Sequence, residues 1–140
     1  MSDIGRGVHT YLQTKSAVTD VSGTRGYPEV LPQKATLPAY TYSGVTATSE
    51  QDLDNGVGVA QTLLQVNCFG TTHITANNLR EQIRLVMQGY RGAAGSETIL
   101  CVTVGNKLDR YDPPLDGSDQ GRYLRIIEFN ISHREGIPTT

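Results

Sequence analysis

The apolar residues of this chain repeat with two periods, and the changes of period divide it into elements. Near the N-terminus Ile4, Val8, Tyr11 and Leu12 recur at i, i+4, i+7 and i+8, the spacing of one helix face. Ser2 or Asp3 can cap that helix, Gly5 and Gly7 weaken it, and its pattern fades near Lys15, ahead of the breaker cluster Ser22-Gly23-Thr24. From Gly26 to Pro38 the prolines Pro28, Pro32 and Pro38 interleave with apolar residues. Proline forbids a regular helix here and hinders a central strand, so an extended, ordered loop is expected. Ala39 to Thr48 is rich in Tyr, Val and Thr and reads as a strand. Glu50 to Gly56 is polar and ends in Asn55-Gly56, a turn signal. A second strand follows from Val57 to Phe69, with Leu64, Val66 and Cys68 alternating with Leu63, Gln65 and Asn67. Together these predict a long β-hairpin whose tip projects.

A second helix is the clearest element. Leu79, Ile83, Val86, Met87 and Tyr90 form its stripe, and Arg80, Glu81, Gln82 and Arg84 lie off it. Thr71, Thr72 or Thr75 caps it, and Gly89 and Gly92 mark its end. Ile99 to Val104 is a third strand. Gly105 to Gly121 reads as a long polar loop that holds Asp109, Asp112, Asp116 and Asp119, and Tyr123 to His133 as a fourth strand. Residues 134–140 read as a mobile tail. Strands in adjacent pairs favour antiparallel hairpins. The expectation is one α+β domain over residues 1–140: a mainly antiparallel sheet of about four strands, two helices packed on one face, and a long β-hairpin.

Composition narrows the function. The 140 residues carry 12 Lys+Arg against 14 Asp+Glu, a net charge of −2, which argues against a protein built to neutralise nucleic-acid phosphates. No apolar run reaches the roughly 18 residues of a membrane span, and the N-terminus lacks the apolar core of a signal peptide, so synthesis in the cytosol is expected. Cys68 and Cys101 each sit in an apolar run and read as two buried thiols. With His9, His73 and His133 they make no metal-ligand spacing. The aspartates of the polar loop do not follow the EF-hand pattern and read as a solvated surface. There is no phosphate-binding glycine loop and no nucleophile elbow. No catalytic residue, cofactor or metal is expected. Arg80, Arg84 and Arg91 lie near one side of the second helix. They could meet an acidic partner or DNA, but Glu81 and the negative net charge favour an ordinary exposed face.

One ordered series of residues carries a resemblance. Gly26-Tyr27-Pro28, Leu31-Pro32-Gln33 and Leu37-Pro38-Ala39-Tyr40-Thr41-Tyr42 follow the first helix. Thr62 to Gly70 then forms a strand, and a threonine turn leads into the helix ending near Met87. This rhythm resembles the tail-completion, or tail-terminator, proteins of long-tailed phages and of phage-derived gene transfer agents, over roughly residues 1–92. Gly26 stands where that family usually has an apolar residue, and the strand from Arg125 to Ile131 lacks an aromatic-rich ending.

The resemblance implies a structural virion protein without turnover. It would form a six-fold ring that caps the tail tube, stops its polymerisation and meets the head connector, with DNA passing through the lumen without specific binding. Heterologous contacts close such a ring, and a lumen free of clustered basic charge does not grip DNA. The hairpin tip, Glu50, Gln51, Asp52, Leu53, Asp54 and Asn55, is then the candidate contact with tube or connector. Arg80, Arg84 and Arg91 are further interface candidates, and Asp109, Asp112, Asp116 and Asp119 are candidates for the lumen or an end face. The alternatives are a head–tail adaptor, stopper or minor tail subunit and, last, a ligand-binding or enzymatic domain, which would need a deep polar pocket.

Overall fold

The structure, a computed structural model, describes residues 4–32, 35–51, 56–113 and 121–134. Its elements in chain order are α1 (Ile4–Gln13), α2 (Ser16–Ser22), β1 (Gly26–Pro28), β2 (Ala39–Gln51), β3 (Gly56–Gly70), α3 (His73–Met87), β4 (Gly92–Ala94), β5 (Glu97–Asp112) and β6 (Arg122–Arg134). The strands form one sheet in the order β1-β2-β3-β6-β5-β4. The neighbours β2–β3, β3–β6, β5–β6 and β4–β5 are antiparallel, and β1 runs parallel to β2 with Gly26 opposite Tyr40. The fold is α+β and mainly antiparallel, as expected, but the described residues hold a six-stranded sheet and three helices, not about four strands and two helices.

The extra elements are short ones that periodicity does not show. The first helix is two: Lys15 donates its backbone N–H to Leu12 O, and a new helix starts at Ser16. The second of these ends at Gly23, whose φ of 56° favours glycine. Within the proline-rich stretch Gly26–Pro28 is a parallel edge strand, with Pro28 where an edge tolerates it. After α3, Gly89 at φ 78° turns the chain towards β4.

The core lies on one face of the sheet. Ile4, Val8 and Leu12 of α1, Val18 of α2, and Leu79, Ile83 and Met87 of α3 pack with Tyr40, Leu64, Val66, Cys68, Phe129 and Ile131. The alternate residues point the other way and mix polar with apolar side chains, Gln65 and Asn67 beside Phe69 and Ile126. Asn67 Nδ2 donates to Thr41 Oγ1 at 3.1 Å, and Gln65 Nε2 to Asn67 Oδ1 at 2.9 Å. Thr72 is the α3 cap, its side chain accepting from the Thr75 backbone N–H at 3.2 Å.

Gly26 now has a reason. Tyr40 is fully buried, its ring lies against the Gly26 backbone, and a Cβ there would fall 2.6 Å from the Tyr40 hydroxyl. That hydroxyl meets His9 Nδ1 at 2.8 Å and accepts from Gln13 Nε2 at 3.0 Å, which ties α1 to the sheet. Burial pushes the Tyr40 hydroxyl up to about 12. Gly7 allows a comparable approach, because a Cβ there would meet the Ala94 carbonyl oxygen at 2.5 Å.

Three expectations about β5 and β6 need correction. Residues 105–112 are not loop; they extend β5 through a bulge at Gly105 and Asn106, and Lys107 onward pairs with β6 as far as Asp112 opposite Arg122. Cys101 is exposed while Cys68 is buried. The register shifts between Ile99 and Cys101, so Ile99 and Val102 both turn inward and Cys101 is left outside. Arg134, expected in the tail, closes β6 opposite Val59. The rest of the expected tail, 135–140, lies outside the described residues.

Candidate assembly surface

Two long hairpins, β2–β3 and β5–β6, extend toward opposite ends of the sheet. In the first, Gln51 is still paired with Gly56. Glu50 and Gln51 are therefore the last residues of β2, and Asp52, Leu53, Asp54 and Asn55 lie outside the described residues. In the second, residues 105–111 of β5 are exposed, although Lys107–Tyr111 remain paired with β6 beyond a bulge at Gly105 and Asn106. Of the four aspartates, Asp109 and Asp112 sit on this arm, and Asp116 and Asp119 lie outside the described residues.

The arm is fastened to α3 by charge. Arg80 of α3 places Nη1 2.7 Å from Asp109 Oδ1 and 3.2 Å from Leu108 O. Arg125 of β6 donates Nε to Asn77 Oδ1 at 2.6 Å and lies 3.6 Å from the same Asp109 oxygen. Both guanidinium side chains are mostly covered, at 17% and 12% exposure, while Asp109 stays 62% exposed. The structure thus brings together Arg80 and Asp109, which sequence reasoning had assigned to different surfaces. Further along the arm, Arg122 reaches Asp112 at 3.4 Å.

Aromatic rings reinforce this region. The Tyr111 and Tyr123 centroids are 4.8 Å apart, His73 approaches Tyr123 edge-on at 5.8 Å, and Arg122 lies over Phe69 at 5.2 Å. Tyr111 sits so close to the Gly121 backbone that no Cβ fits there.

Arg84 is engaged locally. It pairs with Glu81 one helical turn away and donates to Gln88 Oε1 at 2.6 Å. The hydrogen bond from Arg84 holds the Glu81 carboxyl below its ordinary value. Arg91 is exposed beyond the end of α3, away from the Arg80 cluster.

The described residues contain no group of three or more metal-ligating side chains, and every buried side-chain nitrogen and oxygen among them has a hydrogen-bond partner. His133 is buried with Nε2 2.8 Å from Thr62 Oγ1, and His9 is half-buried against Tyr40 and Tyr42. Both are accounted for by packing. No described helix is long and apolar enough to cross a membrane.

What the described surface offers is edge and arm. Sequence reasoning missed the open backbone along β2 and β5. It also missed the exposed apolar residues Val45, Leu108 and Tyr111, which lie on those two strands. The only sequence signal for them was the high Thr, Val and Tyr content.

Neither a protein-family model nor a curated protein matches the sequence. The fold is similar to that of a chain from the virion of a native gene transfer agent particle, with a TM-score of 0.67 and 10% identity, over 90% of this chain and 91% of that one. At that identity the likeness is one of fold.

Proposed function

We propose that this chain is a structural protein of a tailed-phage-like virion. Its role is that of a tail terminator: a ring of six copies that caps the finished tail tube, stops its polymerisation and joins the tail to the head connector. The observation that carries the reading is the fold likeness to a gene transfer agent virion chain across nearly the full length of both. The resemblance of residues 1–92 to tail-completion proteins supports the finer assignment, because it rests on residue order and not on the fold.

The described surface suits a part that assembles and does no chemistry. It has long exposed strands, a braced arm and no metal-ligating cluster among the described residues. In this role the chain acts at the head–tail junction without turnover or cofactor, after assembly in the host cytoplasm. The mixed charge and net −2 let DNA pass through the lumen without being held. The whole of residues 1–140 acts as one domain, with the β2–β3 tip at Glu50–Asn55 and the exposed Arg91 meeting tube or connector. The β5–β6 arm, with Asp109, Asp112, Asp116 and Asp119, lines the lumen or an end face.

Electron microscopy of the purified protein mixed with its cognate tail tubes tests this. Rings at one tube end, with tube lengths unchanged afterwards, are expected. Binding to head connectors but not to tubes would move the chain to an adaptor or stopper position. Binding to neither would overturn the virion reading.

A further inference from the structure

We infer that copies of this chain join by pairing the free edge of β2, residues 43–51, with the free edge of β5, residues 103–112, of the next copy. The inference deepens the ring proposed above and rests on it for closure. The observation is the way the sheet ends. β1 covers β2 only at Tyr40–Tyr42, with Glu29 N–H reaching Tyr42 O, and β4 covers β5 only at Glu97–Ile99, with Gly89 N–H reaching Val102 O. Among the described residues nothing pairs with the outer edge of either strand beyond those points.

Strand polarity and the edge side chains select a second copy as the occupant. Three antiparallel steps separate β2 from β5, so these strands run in opposite directions. A copy set beside the sheet in the same orientation therefore presents its β2 antiparallel to this β5, in the ladder with straight hydrogen bonds. A solvent-facing edge is ordinarily guarded by lysine, proline or a bulge. Gly44, Val45, Thr46, Ala47 and Thr48 carry no lysine or proline, although all are exposed; the irregularities of the β2 edge are the register shifts between Gly44 and Thr46 and between Ser49 and Gln51.

The stagger agrees with ring closure. Tyr42 lies level with Lys107 across the sheet, through Val66 and Ile127. Matching the middle of one free edge, Ala47, to the middle of the other, Lys107, slides the neighbour by about four to five residues, or ~13–17 Å at ~3.3 Å per residue. The long strands β2, β3, β6 and β5 span ~19 Å at ~4.8 Å each. A closed ring permits no net rise, so this slide must appear as strand tilt, roughly 35–40°. Barrels close at ~35–45°.

Hydrogen exchange on rings formed on tail tubes or at high protein concentration tests the pairing. Amides of 43–51 and 103–112 should gain protection together on assembly. The double variant Val45→Lys/Ala47→Lys, which restores edge guards, should weaken assembly by about tenfold or more and leave the monomer's circular dichroism unchanged. The control Ile74→Lys/Leu85→Lys on the exposed face of α3 should assemble normally. Rings that form with both segments exchanging as in the monomer, or rings of undiminished stability from the β2 variant, overturn the edge pairing and leave the terminator reading standing. A chain that forms no rings at any concentration or on tubes overturns both.

Discussion

At the scale of single residues, the close approach of Tyr40 to Gly26 carries the sharpest prediction. Gly26→Ala forces the buried ring or the β1 backbone to move, and overpacking of this kind costs about 1–3 kcal/mol. Urea denaturation should show the midpoint falling with the slope unchanged. The same position shows what a sequence can hide. Gly26 departs from the family rhythm, and only the packed ring explains why an apolar side chain is excluded. Cys101 teaches a similar lesson, because an unbroken apolar run does not disclose the register shift that turns it outward. His9 supplies a pH dependence. Burial holds its imidazole below the ordinary 6.5. Below 6.5 the unfolded chain takes up a proton that the folded chain resists, so stability present above that value falls as the pH drops through the interval down to the folded value. His9→Gln should flatten this part of a stability–pH curve measured between pH 7 and 5, and an unchanged slope would remove the assignment.

At the scale of elements, the β5–β6 arm depends on its ties to α3. Arg80→Ala removes the ion pair to Asp109 and the hydrogen bond to Leu108 O. With Asp109 largely exposed the global cost is small, about 1 kcal/mol or less. Local exchange of 107–112 and 122–126 should nevertheless rise several-fold while α1 and β2 stay protected. Equal loosening of the whole sheet would show that Arg80 is not a local brace. This arm was the least legible element in the sequence. Gly105, Asn106, Asp109 and Asp112 are poor strand formers; the first two form a bulge, and beyond it the arm is held by pairing with β6 and by two arginines distant in sequence. The elements that were legible, α3 and the β2–β3 hairpin, carry their own signals: a strict stripe with a threonine cap, and an alternating strand beside Asn55-Gly56. The short β1 and β4 have no such signal and exist because a long strand beside them offers hydrogen bonds.

At the scale of the whole molecule, charge and shape point the same way. A chain of net charge −2, with Asp109 and Asp112 of the arm paired to Arg80 and Arg122, carries no overall excess of basic charge for a phosphate backbone. Duplex DNA should not retain the protein on a filter at physiological salt, and lowering the salt should recover little binding. Retention with a steep salt dependence would mean that the arm's cations are available and that the lumen assignment is wrong. The sequence carried the class of fold. It could not carry the surface, because an open edge is defined by what fails to pair with it, and pairing is a property of the assembled sheet.

The placement of β1 and β4 at opposite corners of the sheet has a genetic consequence. In a ring closed by β2–β5 pairing each copy would meet its two neighbours through different strands, so damage to one edge would leave the other fully able to bind. A variant spoiled only on β2 still joins a growing ring through β5 and then refuses the next addition. Co-expressed with the intact chain it poisons rings out of proportion to its abundance, since one such copy suffices to leave a gap. Substitutions in the core, such as Gly26→Ala, remove the chain from the pool without harming the rest. Edge alleles should therefore behave as dominant and core alleles as recessive when both are supplied in the same cell.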